Sequence, residues 1–283
     1  MIRLQSDGPL VCEIEPQLGG CIAGLWLGDV AVLRSTREPL LSARQSGCYP
    51  LVPFSNRIDR ATLRWNGTDH PLVTNNAPEP HAIHGVGWQR PWSVLDSDDS
   101  FAMLAYEHPA DASWPFAFDT SQTLRLRGNS LELTLALTNQ SSAPAPVGLG
   151  WHPFFVKRPG SHIAFEASGR WEMGPDKLPT TRSPSPGLDA DTATLDVDHC
   201  FDGWDGLVTL RDELLKIAVR SDLQRLVVFT NGSRDVIAIE PVSHVNNAIN
   251  LVAAGADAQS LGLRTLQPGE TLTASMSIEV ETA

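Results

Sequence analysis

The sequence predicts an all-β protein built from antiparallel strands. Short apolar runs separated by turn signals follow one another along almost the whole chain, and no segment keeps an i, i+3, i+4, i+7 apolar stripe for three helical turns. Two tight-turn pairs, Asn66-Gly67 and Gly128-Asn129, each join two strand-like segments. A single domain spanning residues 1–283 is expected, because all-β sandwiches often reach this length and no linker interrupts the chain.

The clearest hairpin lies in TLRLRGNSLELTLALTN. Leu124 and Leu126 alternate with arginines before the Gly128-Asn129 turn, and every second residue from 131 to 137 is leucine. A period of two places these leucines on one face of each strand, so the hairpin has one buried face. The segment TLRW-NG-TDHPL predicts a second hairpin, because Asn-Gly tolerates the positive φ angles of a tight turn.

The last third of the chain predicts four further strands: KIAVR, RLVVFTNG, VIAIEP and TLTASMSIEV. In the last of these, alternate residues from Leu272 to Val280 are apolar and share one face. Residues 168–206 are rich in Pro, Gly, Asp and Thr, which predicts a long excursion over the surface.

The composition excludes several classes of partner. A formal charge of -12, with no run of lysine or arginine, disfavours nucleic acid and anionic lipid. No signal peptide and no membrane-spanning apolar run is evident, so a cytoplasmic location is expected. The four cysteines are scattered without a CxxC pair, which predicts reduced, buried thiols rather than a zinc site.

Candidate functional residues are polar groups set in apolar or aromatic surroundings, where burial is costly unless it serves a purpose. His152 lies between aromatic residues in GLGWHPFF, and an imidazole there could act as a general acid or base. Glu240 ends the apolar run VIAIE before a proline, which predicts a partly desolvated carboxylate at the rim of a sheet. A core histidine and a solvated strand-end charge are the structural alternatives.

Three other segments carry possible binding groups. Arg57 of SNRI could donate to sugar hydroxyls or pair with a structural carboxylate. His81 and His84 of HAIHG are three apart, a spacing that places them on opposite faces of a strand and disfavours a shared metal. The segment DVDHCFDGW and the following Asp205 set four acids beside Phe201 and Trp204, as a sugar site would, although solvated loop acids give the same pattern.

Seven segments follow one another along nearly the whole chain: IEPQLGGCIAGL, PLVPFSNRI, HAIHG, GWHPFF, DHCF, IEP and LQPGETL. In this order, they resemble the aldose 1-epimerase (galactose mutarotase) family. The resemblance implies a galactose-mutarotase-like β-supersandwich of large antiparallel sheets. It implies an enzyme that interconverts the α and β anomers of a free hexose or pentose by acid-base ring opening. No metal and no other cofactor is implied, and the chain is expected as a monomer or homodimer.

The resemblance also implies roles for individual residues. His152 of GWHPFF is similar to the acid that protonates the ring oxygen, and Glu240 of IEP to the base that takes the C1 hydroxyl proton. Asn56 and Arg57 of SNRI, His84 of HAIHG and Asp198 of DHCF are similar to substrate-holding residues. The motifs read Gly85-Val86 after the histidine and HPFF in place of HPYF, which leaves the preferred sugar open.

Three alternative functions remain from the sequence. A hexose-phosphate 1-epimerase would need extra cationic groups, and Arg57 and Arg90 are the arginines within the key segments. A non-catalytic sugar-binding module on the same fold would be expected to lack His152 or Glu240, and both are present. A metal-dependent jelly-roll enzyme would need a clustered His-x-His, which HAIH does not supply.

Overall fold

A computed structural model describes residues 1–5, 7–36 and 38–283. The first half of the chain forms thirteen strands: β1 Ile2–Gln5, β2 Leu10–Glu15, β3 Cys21–Leu27, β4 Val30–Ala31, β5 Pro50–Leu51, β6 Arg57–Ile58, β7 Thr62–Trp65, β8 Thr68–Pro71, β9 Ala82–Ile83, β10 Ser93–Ser97, β11 Phe101–His108, β12 Phe118–Arg127 and β13 Ser130–Asn139.

The second half adds β14 Ala145–Val147, β15 Gly150–Trp151, β16 Phe154–Val156, β17 His162–Glu166, β18 Gly169–Met173, β19 Pro179–Pro184, β20 Gly187–Asp191, β21 Val197–Asp202, β22 Leu207–Arg211, β23 Leu215–Ser221, β24 Arg225–Thr230, β25 Val236–Val242, α1 Ala248–Ala253, α2 Ala258–Leu261, β26 Arg264–Leu266 and β27 Thr271–Thr282. The predicted all-β class is confirmed.

A nine-stranded sheet has the order β10-β11-β12-β13-β27-β23-β22-β17-β20. Its centre is the predicted leucine hairpin, in which β12 and β13 pair from Phe118 with Asn139 to Arg127 with Ser130. The buried residues alternate along both strands, as the period of two predicted. The second predicted hairpin is β7 with β8, and both turn residues, Asn66 and Gly67, have positive φ angles.

An eight-stranded sheet carries the site described below. Its order is β19-β18-β21-β24-β25-β15-β5, and β16 also pairs with β25. A four-stranded sheet, β1-β2-β3-β4, and the pairs β6-β9, β7-β8 and β14-β26 complete the architecture. Because β25 lies between β24 and β15, side chains of these two neighbouring strands can lie beside those of β25 on one face of the sheet.

Two expectations about this sheet are wrong. Residues 168–206 contain β18, β19 and β21 of the eight-stranded sheet and β20 of the nine-stranded sheet, so they are not a surface excursion. The strands were missed because β19 and β20 are largely exposed and polar and lack an apolar alternation. Glu240 does not lie at a rim either, since β25 is an interior strand that continues through Pro241 to Val242.

Buried side chains connect the two large sheets. Trp151 Nε1 donates a hydrogen bond of 3.1 Å to Gln122 Oε1, and Gln122 Nε2 donates to the Gly20 carbonyl at 2.9 Å. Trp151 and Gln122 are both buried, so these bonds satisfy polar groups that would otherwise be costly. Since neighbouring strand residues face opposite ways, Trp151 points into this core and directs His152 to the other face.

The four cysteines, Cys12, Cys21, Cys48 and Cys200, are buried and unpaired, as predicted. Burial raises the pKa of each thiol, to about 11 for Cys21, so they remain protonated and act as small apolar side chains. Within the described residues, neither helix approaches the length and apolar character of a membrane span.

Candidate active site

Strand register brings His152 and Glu240 together across the eight-stranded sheet. On one side of His152, Gly150 pairs with Val242; on the other, Phe154 pairs with Ala238. The same register across the intervening residues places position 152 opposite position 240. Cross-strand partners share a face of the sheet, so both side chains point into one cavity.

The same face collects residues from the neighbouring strands. Glu240 pairs with Val227 on β24, and Asp198 on β21 pairs with Phe229, two residues further along β24. Tyr49 immediately precedes β5, and its carbonyl accepts from the His152 N–H at 3.0 Å. All of these side chains line a cavity of about 240 Å³.

The His152 ring is held in an aromatic stack. It lies 4.9 Å from the Tyr49 ring and 4.3 Å from the Phe154 ring, each at an interplanar angle of 29°. The His84 ring meets it edge-on at 5.1 Å. Pro153 follows His152 and keeps it extended, while the Pro153 carbonyl accepts from the Ile239 N–H at 3.2 Å. The imidazole is therefore oriented before any ligand enters.

His152 Nε2 lies 3.2 Å from Glu240 Oε1, and both side chains are buried. Burial raises the pKa of Glu240 well above its usual range, and Asp198 raises it further while Arg57 lowers it. Burial lowers the pKa of His152, and Arg34 and Arg44 add to this effect. Both directions favour a neutral pair in which a carboxyl O–H donates to the imidazole.

Two further atoms of this pair, His152 Nδ1 and Glu240 Oε2, are buried and have no protein partner. Buried polar atoms without a partner are rare and costly in folded proteins. Because these two atoms belong to the central residues of a cavity, they indicate a ligand-binding site.

Asn56 and His84 are fixed side by side by a reciprocal pair of hydrogen bonds. The Asn56 N–H donates to His84 Nδ1 at 3.1 Å, and the His84 N–H donates to the Asn56 carbonyl at 2.9 Å. Both residues have positive φ angles, 55° and 60°, a conformation that costs free energy in residues other than glycine. The surrounding β6-β9 pairing maintains this strain at the cavity wall.

The hydrogen bond to His84 also decides the tautomer of its ring. Burial lowers the pKa of His84 well below its usual value, so the imidazole is neutral. Since Nδ1 accepts from Asn56, the ring proton must be on Nε2, which is then a donor. His81 lies elsewhere, with its Nδ1 accepting from the Arg60 N–H at 3.0 Å, as the odd spacing predicted.

His84, His152 and Glu240 are three potential metal ligands whose donor atoms lie within 4.8 Å of one another. The tautomer of His84 does not suit a metal. A histidine that ligates through Nε2 normally donates its Nδ1–H to a partner, whereas here Nδ1 accepts and Nε2 carries the proton. The arrangement suits a hydrogen-bond donor toward a ligand oxygen.

Arg57 is both a wall of the cavity and a member of an ion pair. Its Nε and Nη2 donate to the two carboxylate oxygens of Glu79 at 2.8 and 3.1 Å, and its Nη1 donates to Asn56 Oδ1 at 3.2 Å. The hydrogen bonds from Arg57 lower the pKa of Glu79. The ion pair with a structural carboxylate is therefore confirmed, and this carboxylate fixes the Arg57 guanidinium at the cavity.

Of the four acids in and directly after DVDHCFDGW, Asp198 lines the cavity and the others do not. Asp202 is buried and accepts from Trp171 Nε1 at 3.0 Å and from Arg182 Nη2 at 2.7 Å. Asp205 Oδ1 accepts from the Leu207 N–H in a turn. Phe201 and Trp204 are core residues. Most of the acidic and aromatic residues of this segment therefore have structural roles.

All six site residues predicted from the sequence line this cavity: Asn56, Arg57, His84, His152, Asp198 and Glu240. Sequence reasoning missed Tyr49, Glu79 and four cations, namely Arg34, Arg44, Lys177 and Arg234. Tyr49 lies within the segment that already drew attention, and its position two before an apolar run was a usable signal. The cations come from separate loops and carry no local signal.

Residues 2–279 match the model of the aldose 1-epimerase family. The chain belongs to the aldose 1-epimerase family. This agrees with the resemblance found in the motifs.

Individual relatives extend the match. The uncharacterized Escherichia coli protein YphB is 29% identical over 98% of this chain and 97% of its own length. A solved E. coli structure, provisionally described as an aldose 1-epimerase, is 28% identical with a TM-score of 0.87, covering 99% and 98% of the two chains. A galactose mutarotase-like protein from Clostridium acetobutylicum has a TM-score of 0.86 at 19% identity, covering 99% and 95%. The predicted galactose-mutarotase-like fold is confirmed.

Proposed function

We propose that this chain catalyses the interconversion of the α and β anomers of an aldose by opening and reclosing its hemiacetal ring. The observation that carries the proposal is the contact between His152 Nε2 and Glu240 Oε1, 3.2 Å apart on one face of the cavity. Membership of the aldose 1-epimerase family supports a sugar as the substrate.

Ring opening needs one proton removed from O1 and one delivered to O5, and both oxygens are bonded to C1. An acid and a base that touch each other can therefore reach both oxygens of one sugar. Glu240 as a carboxylate takes the O1 proton, and His152 as an imidazolium gives its proton to O5. Rotation about the C1–C2 bond then exposes the other carbonyl face, and the transfers reverse on closure.

The proton count of the pair stays constant through this cycle. Carboxylate with imidazolium holds the same number of protons as carboxylic acid with neutral imidazole. Burial favours the second form in the absence of sugar, so the Glu240 proton must first pass to His152 across their 3.2 Å contact. Ring opening then restores the second form. The pair is thus matched to the open-chain intermediate, so reclosure can begin from either face without a proton from solvent.

The remaining wall residues suit the holding of hydroxyl groups. His84 offers an Nε2–H donor, Arg57 and Asn56 offer polar groups from a strained turn, and Asp198 offers acceptors. A binding module without catalysis would have no use for a carboxyl group and an imidazole placed 3.2 Å apart, where one proton can pass between them. This observation favours catalysis over binding alone.

The test is anomeric exchange measured by NMR or polarimetry on purified variants. Glu240→Gln and His152→Ala are each expected to lower turnover by about a hundredfold to ten-thousandfold while circular dichroism shows an intact fold. Glu107→Gln removes an exposed strand carboxylate outside the cavity and serves as the matched control. Smaller losses in both site variants would refute the assigned roles.

A further inference from the structure

The cavity is lined by more positive charge than a neutral sugar needs. Five of its seventeen lining residues are arginine or lysine, whereas the whole chain of 283 residues has 21 and a net charge of -12. Arg57 is neutralised by Glu79. The other four, Arg34, Arg44, Lys177 and Arg234, form no ion pair with any carboxylate of the described residues.

The Arg34 side chain is fixed in the cavity wall by several contacts. Its Nε and Nη2 donate to the Ser46 carbonyl at 2.9 and 2.7 Å, and Nη2 also donates to the Arg44 carbonyl. Its guanidinium carbon lies 3.8 Å from the centroid of the Phe154 ring. These contacts fix a charged group in a half-buried position beside the reaction centre.

Arg44 and Arg234 line the same cavity and lie close enough to Arg34 to influence its pKa. Arg44 donates to Asn76 Oδ1, and the Arg234 guanidinium lies 4.3 Å from the Phe229 ring. Burial is the main cause that lowers the pKa of Arg34. Tyr49 and Asp235 raise this pKa, whereas Arg234 and Arg44 lower it further, so both arginines repel Arg34. A cluster of like charges costs free energy unless an anion joins it.

The cluster lies on a defined side of the sugar. His152 is assigned to O5, the ring oxygen, and O5 is bonded to C5, which carries C6 in a hexopyranose. The Phe154 ring stacks on His152 at 4.3 Å and bears Arg34 on its face. A substituent at C6 therefore extends from the His152 side of the cavity toward the arginines.

We infer that the substrate is an aldose that carries an anionic group, a carboxylate or a phosphate, at C6, bound by Arg34, Arg44 and Arg234. This inference rests on the proposed function, because the orientation of the sugar follows from the roles of His152 and Glu240. It reverses the ranking from sequence, where extra cations for an anionic sugar were not evident.

The test compares matched sugars: glucose with glucose 6-phosphate and glucuronate, and galactose with galactose 6-phosphate and galacturonate. After subtraction of the spontaneous rate, kcat/KM for at least one anionic sugar should exceed that of its neutral counterpart by about tenfold or more. The phosphate and carboxylate arms distinguish the two anions. Raising the salt from about 0.01 M to about 1 M should reduce this preference, because screening weakens charge contacts.

Arg44→Gln and Arg234→Gln should each reduce the anionic-to-neutral ratio of kcat/KM by about tenfold. Arg211→Gln makes the same change of charge on an exposed residue outside the cavity and should leave the ratio unaltered. Neutral sugars turned over as well as every anionic counterpart would overturn this inference while leaving the proposed function in place.

If no sugar exchanges its anomers, the proposed function fails, and calorimetry decides the inference on its own. The wild type should then bind an anionic sugar about tenfold more tightly than the neutral one, and Arg44→Gln should remove that difference. Equal binding of the two sugars would overturn the inference.

Discussion

Replacing Glu240 by glutamine is expected to stabilise the fold at neutral pH while it removes activity. Glu240 is 2% exposed, so the carboxylate form loses nearly all of its hydration in the folded chain. Glutamine has almost the same volume, which means that no cavity forms. The variant exchanges one buried polar group for another and removes the free-energy cost of keeping the carboxyl group protonated at neutral pH.

The pH dependence of this gain follows from the direction of the pKa shift. Burial raises the pKa of Glu240, so the folded state binds a proton more tightly than the unfolded state. The wild type has its full stability from this group below the unfolded pKa of about 4.3 and loses it as the pH rises through the folded value. Glutamine does not titrate, and so the variant avoids that loss.

The assay is thermal unfolding of both proteins from about pH 5 to about pH 8, with Glu107→Gln as an exposed control. The Tm of Glu240→Gln minus that of the wild type should grow with pH and exceed roughly 2 °C at the upper end, which corresponds to about 1 kcal/mol in a chain of this size. A difference that is constant with pH, or that shrinks as the pH rises, would refute the argument.

Three other outcomes are expected. Gly85→Ala should lower the free energy of unfolding in urea by more than Gly67→Ala. Both glycines have positive φ angles, but a Cβ at Gly85 would lie 2.1 Å from the Val52 carbonyl oxygen, whereas a Cβ at Gly67 would have no atom within 4 Å. Equal losses of stability in the two variants would contradict this. Arg57→Ala and Asp198→Ala should raise KM more than they lower kcat in steady-state kinetics, and unchanged kinetics in either would remove that residue from the site. The pH-rate profile should show a broad plateau across neutral pH. Burial lowers the pKa of His152 to about 3 and raises that of Glu240, so the pair holds its single shared proton over a wide pH range. A narrow optimum would argue against one shared proton.

The local elements were largely readable from the sequence. Alternating leucines and the two tight turns gave the hairpins β12-β13 and β7-β8, because both signals act between neighbouring residues. The five segments chosen for polar groups in apolar or aromatic surroundings all reach the cavity, through Arg57, His84, His152, Asp198 and Glu240. Burial cost makes such residues visible without knowledge of the fold.

The pairing of strands that are distant along the chain could not be predicted from the sequence. The register that sets His152 opposite Glu240 joins residues almost ninety positions apart, and nothing within either segment specifies it. The polar strands in residues 168–206 were missed for a related reason, since their exposed faces leave no apolar pattern. Arg34, Arg44 and Arg234 meet at the cavity only through the fold, so their combined charge was invisible in the sequence.

The most direct test of the acid-base proposal is the exchange of anomers seen by one-dimensional magnetisation-transfer NMR on an aldose mixture with wild-type protein, Glu240→Gln and His152→Ala. We expect exchange well above the spontaneous rate with the wild type and almost none above that rate with either variant. Exchange that persists in both variants, or that never rises above the spontaneous rate for any sugar, would contradict it.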